Sequence, residues 1–367
     1  MRYRRTVIGA AAAATALVAA FPATAGAHGV DHPPVTTVAG GLSGPFQLSD
    51  YRGGKFVVAE NDTGEVSSVD PYSGQVRTLV SGLGPASGVD YAHGLLYIAV
   101  GDATGEPGSP PPPPGTPSDQ LVVARPDGTK TKTIDLLDYE MKHNPDGQVQ
   151  LVDGHPVDAL SNPFSVLAQR HRVLVADAGA NDVLSVNPWT GEVSTFFVPP
   201  TVTDVAACLA PGAQANPGTT GCDPVPTEIT QGPDGLIYVG TLGSLVPGAG
   251  RVYVLDQEGH VVRVIKGLTS VTGVAVDPWG TVYVSNVVQG APEGEGPPPA
   301  GFDPSTIGEI TKITRHGDRS TAQVTMPSGL EFSHGSLYAS AWSVASMVGL
   351  QNRGEVQRID RSAFTTP

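Results

Sequence analysis

The 367-residue chain lacks the short words that mark common enzyme chemistries and the basic excess that marks nucleic-acid binding. It has two cysteines, too few for a thiolate metal cluster or a dense disulfide scaffold. Lys and Arg total 21 against 35 acidic residues, a net charge of −14 that repels phosphate backbones and anionic lipid surfaces. Neither nucleic acid nor membrane is therefore an expected partner. No Gly-x-Ser-x-Gly elbow, His-Glu-x-x-His word or phosphate-binding glycine loop occurs, and the nine histidines are scattered. The long apolar run, Val7–Phe21, is short and Ala-rich for a membrane span.

That run reads instead as a secretion signal. Arg2, Arg4 and Arg5 precede it, Pro22 ends it, and small-residue cleavage sites follow up to Ala27. Residues 1–27 are the expected leader and 28–367 the expected mature domain. Export runs by the general secretory route or, given the Arg4-Arg5 pair, the twin-arginine route. The product is expected to be soluble, extracellular and monomeric. Acidity supports solubility, and abundant Ala, Gly and Pro with little Lys point to a GC-rich genome.

What the chain has in quantity is a repeat. Short β-branched and aromatic runs recur at Phe56–Asn61, Leu96–Gly101, Val173–Ala178, Ile237–Leu242, Val282–Val287 and Leu337–Trp342. Each is followed by a second run: Gly64–Asp70, Asp119–Arg125, Asn181–Asn187, Gly250–Asp256, Gly308–Thr314 and Gly354–Asp360. A sheet with two apolar faces cannot bury both alone, so repeats of this period imply four-stranded blades packed around a ring. The expectation is an all-β, six-bladed β-propeller. The last blade lacks an outer strand, and Val35–Ala39, similar to Val76–Val80, is placed to supply it and close the ring.

Departures from the repeat mark loops where function concentrates. Gly108–Pro117 is a stiff polyproline excursion, a recognition arm or plain surface; Gln289–Asp303 stands at the equivalent place in blade five. Asp135–Ser161, rich in carboxylates, reads as a short helix and a turn between blades two and three. Cys208 and Cys222 share the loop between blades three and four, where oxidation would join them for roughly 3 kcal/mol.

Several words resemble the ScyD/ScyE family of exported propellers. They are Asp135–Glu140, Asn144–Gly147, Ser161–Phe164, Val173–Leu184, Val225–Gly240 and Gly250–Val254. The chain departs from that pattern in a plain first blade after Glu60 and in Thr241, where an acidic residue is expected. The resemblance implies a six-bladed NHL-like or TolB-like ring with no established reaction. A second resemblance, to the calcium-dependent lactonases of the gluconolactonase and regucalcin group, implies carboxylate and amide ligands at the channel mouth.

Loops entering the first strand and leaving the second strand line one mouth. They carry Glu60, Asn61, Asp102, Asn162, Asp177, Asn181, Glu228 and Asn286, with Trp342 ending the last blade's second strand. Converging oxygens suit a hard cation, so Glu60, Asn162, Asp177 and Asn286 are the candidate calcium ligands. The competing expectation is that Asp177 and Asn181 hold a turn and that Asn162 and Thr227 cap strand starts. With no catalytic word present, the leading expectation is a non-catalytic binding or scaffold protein for an unknown protein or small-molecule ligand. The alternative is a calcium-dependent lactonase or ester hydrolase at the mouth.

Overall fold

A computed structural model describes residues 33–104, 112–210, 216–292, 299 and 301–366. The expected leader and residues 108–111 of the polyproline arm lie outside the described residues. Six four-stranded antiparallel sheets make a six-bladed β-propeller. Blades one to five run in chain order: 45–80, 86–135, 163–197, 226–268 and 271–323. Blade six takes Leu330–Ser333, Ser336–Ala341 and Gly354–Ile359 from the C-terminal end, and Val35–Leu42 adds its outer strand. The expected closure is present, and it ties the two ends of the chain into one sheet.

The middle strands of each blade are buried on both sides because alternate residues serve alternate neighbours, whereas the outer strands are partly exposed. In the second strand of blade one, Phe56 and Val58 pack with Leu48, Tyr338 and Val356 toward blade six. Val57 and Ala59 pack with Val89, Leu96 and Ile98 toward blade two. Phe56 is fully buried, 4.7 Å from the Tyr338 ring, a burial contributing about 2–3 kcal/mol. Every blade thus depends on both neighbours, which makes the ring a cooperative unit.

The connections are unequal at the two ends of the ring. At one end the strand-to-strand turns are short, such as Arg52–Gly54, His93–Gly94 and His334–Gly335. At the other end stand the long ones: 101–119, 136–162, 198–225, 287–308 and 342–353. The 136–162 connection holds a helix, α1 (Leu137–His143), a turn and a two-residue hairpin, 151–156. The sequence pattern foresees the helix and turn; the hairpin is additional.

Candidate functional site at the loop-bearing face

The residues expected at the mouth all lie at or near the loop-bearing end. There they join neighbouring blades or hold turns. Asn61 donates to Ser87 Oγ at 2.9 Å, linking blades one and two. The Asp102 amide donates to Asn162 Oδ1 at 3.1 Å, linking two and three. The Val225 amide donates to Asn181 Oδ1 at 3.1 Å, linking three and four. Thr227 donates to the Val271 carbonyl, Ser285 to that of Ser328, both at 2.6 Å, and Gly329 N to that of Phe46 at 3.2 Å. A polar staple therefore spans every blade junction.

The remaining mouth residues serve their own loops. Asp177 is fully buried and accepts four bonds: Ser161 Oγ and Asn162 N at 2.6 Å, Gly179 N and Ala180 N at 3.1 Å. Burial still pushes its carboxyl above the ordinary range. Glu60 accepts from Ser43 N at 2.8 Å and is likewise raised by burial. Asn286 accepts from Val288 N and donates to Gln289, both at 3.2 Å. Asp102 accepts from Thr104 N at 2.9 Å. Trp342 lies in the core between blades five and six, with the Arg353 guanidinium 5.1 Å from its ring centre.

Inside the channel, residues at equivalent positions of the six first strands are Gln47, Gly88, Ser165, Glu228, Gly273 and Gly329. Gln47 crosses from blade one to accept from Val89 N and Val166 N and to donate to the Val166 carbonyl, at 2.9–3.0 Å. It also reaches Glu228 of the opposite blade at 3.3 Å, and Ser165 donates to the same Glu228 oxygen at 2.6 Å. Side chains thus meet across the axis and close the channel at this layer. Glycine lets neighbouring backbones approach: a Cβ on Gly273 would stand 2.1 Å from Ser328 O, and one on Gly329 2.5 Å from Phe46 O. Burial pushes Glu228 up to about 8, the bonds from Ser165 and Ile229 opposing it.

Toward the short-turn end, the next layer includes Asp90 and Glu331. Asp90 accepts from Ala168 N at 2.8 Å and Tyr91 N at 2.7 Å. Glu331 is held well above the carboxylate range by burial and by the charges of Asp50, Asp90 and Glu228. It lines a cavity of about 360 Å³ with Thr230, Pro233, Ala275, Pro278 and Phe332. Sequence reasoning did not single out Gln47, Asp90 or Glu331, because each sits inside an ordinary-looking strand. Their signal, polar residues at two neighbouring axis-facing positions of some of the first strands, is visible only after the blades are aligned.

The Cys208–Cys222 disulfide is formed and buried with Val202 and Ala249 under the loop between blades three and four. The same loop is tied down by Asp204, which accepts from the buried Arg251 at 2.6 Å and from Lys266 at 2.8 Å. Bonds from Lys266 and Arg251 bring Asp204 down to about 2.

No family model matches the chain, and no curated protein matches it. Solved structures do. A luciferin-regenerating enzyme superposes with a TM-score of 0.54 at 10% identity, covering 91% of this chain and 97% of its own. A protein of unknown function from Bacteroides thetaiotaomicron VPI-5482 gives 0.52 at 12% identity, covering 88% and 74%. At such identities the likeness establishes the shared ring and carries no activity across.

Proposed function

We propose that this chain is an exported, non-catalytic binding or scaffold propeller of the ScyD/ScyE kind, with residues 1–27 as its leader, and that it recognises its ligand through the loop-bearing face. One observation carries the reading: the five long connections all open to that end. Nine of the fourteen exposed large apolar side chains among the described residues stand there too, including Leu209, Leu245, Met347, Val348 and Leu350. Exposed apolar groups on loops carried by a rigid scaffold are what a recognition surface requires.

The lactonase reading needs oxygen ligands free at the axis. Here Asn162, Asp177 and Asn286 are engaged in their own loops or junctions, and Gln47 and Glu228 close the channel beneath. The two readings separate in one experiment. A photo-crosslinking residue is placed at Met347 and the purified protein is incubated with envelope material of the producing cells, beside an ester and lactone screen. A saturable adduct competed by unlabelled protein supports binding at this face. Turnover abolished by Glu60→Gln or Asp177→Asn would replace it with the hydrolase.

A further inference from the structure

Asp177 and Asp182 are cross-strand partners in blade three, both fully buried. Asp177 has four donors, whereas neither oxygen of Asp182 has a hydrogen-bond partner among the described residues. The deficit extends to its surroundings. Glu140, on the buried side of α1, uses one oxygen to accept from Gln150 at 2.9 Å, and its buried Oε2 has no partner. Asp119 Oδ1 and Asn144 Oδ1 are also buried without donors. Asp177, Glu140 and Asp146 all press negative charge on Asp182, and none of the ion pairs among the described residues neutralises any of them.

A buried carboxylate with no donor is costly, and a cluster of them more so. Protonation relieves the charge only in part. One proton supplies one O–H, whereas both Asp182 oxygens and the buried oxygens of Glu140, Asp119 and Asn144 have no donor among the described residues. A hard cation solves both problems, because it supplies positive charge and takes several oxygens in irregular geometry. No three carboxylate, imidazole or thiol groups stand grouped for coordination among the described residues. The donor set is therefore two carboxylates, completed by amide or main-chain oxygen and water.

We propose that Asp182 and Glu140 are the carboxylate ligands of a calcium site under α1, between blades two and three, away from the channel axis. Asn144 contributes its amide oxygen, and Asp146 and Asp177 supply the surrounding negative field. The ion fastens the 136–162 connection onto the ring and so fixes part of the loop-bearing face. The site stands independently of whether that face binds a ligand.

The test uses the whole mature protein, stripped with chelator and titrated with calcium chloride by calorimetry, with magnesium as the comparison. The expected result is one calcium per chain in the micromolar range, weaker magnesium binding, and a melting temperature about 4 °C higher at a hundredfold excess over Kd. Asp182→Asn and Glu140→Gln should each weaken binding at least tenfold. Asp182→Asn should melt no lower than the parent without calcium, since it removes an unpaired buried charge, and this separates lost binding from misfolding. Absent heat and absent thermal shift at millimolar calcium would overturn the proposal. So would calcium binding unchanged in both variants, or binding lost instead in Glu60→Gln, which would return the ion to the channel mouth.

Discussion

The two ends of the ring are built on different terms. The short-turn end uses tight connections whose Asx residues accept their own backbone amides, as Asp70 does from Tyr72 and Asn187 from Trp189. It holds Tyr72, Trp189 and Trp279 largely in solvent. The loop-bearing end uses long excursions that must be fastened, by a disulfide, by the Arg251–Asp204–Lys266 group and by a staple at each blade junction. The difference teaches where surface has been elaborated: ordering a long loop costs chain entropy, so fastenings accumulate where loops are kept in place.

The sharpest way to break the comparison is to damage the layer beneath the loop-bearing end. Gly329→Ala drives a methyl into the Phe46 backbone and should lower stability by about 3–4 kcal/mol in urea unfolding. Replacing Cys208 and Cys222 with Ser should cost about 3 kcal/mol and increase proteolysis between them, with no cut at the short turns.

Acidity gives a third test. Glu228 is raised to about 8 in the folded ring against 4.5 ordinarily, so the folded state holds the extra proton between those values. Its contribution is complete below pH 4.5 and is lost as pH rises through 8, and Glu140 and Asp119, raised by burial to about 7, add the same sign. Calcium-free protein should thus lose stability between pH 5 and pH 8, on the order of a few kcal/mol, and Glu228→Gln should flatten that slope. The smallest effect belongs to the other end: Tyr72→Ser, at an exposed turn, should change stability by about 0.5 kcal/mol or less.

The ring was legible in the chain because its period is written in strand-forming residues, and closure by Val35–Ala39 followed from the missing outer strand, which extends to Leu42 in the structure. The mouth was legible only as a place. Position along a strand locates Asn162 or Asn181 at the loop-bearing end, but it does not tell whether a side chain faces solvent or spans to the next blade. Asp182 was hidden differently. Its neighbour Asn181 marks a turn, and the charge that bears on Asp182 from Glu140 comes from α1, about 40 residues earlier in the chain. Gln47 was hidden because its partners, Val89, Val166 and Glu228, come from three other blades.

Recognition by the loop-bearing end is tested most directly by paired crosslinking. One photo-reactive residue replaces Met347 on that face and another replaces Tyr72 on the short-turn face, both exposed. Each protein is irradiated with envelope material and culture medium of the producing cells. The account predicts a discrete, saturable adduct from position 347, competed by unlabelled protein, and none from position 72. A competed adduct from position 72 alone would contradict it and move recognition to the cavity beside Glu331.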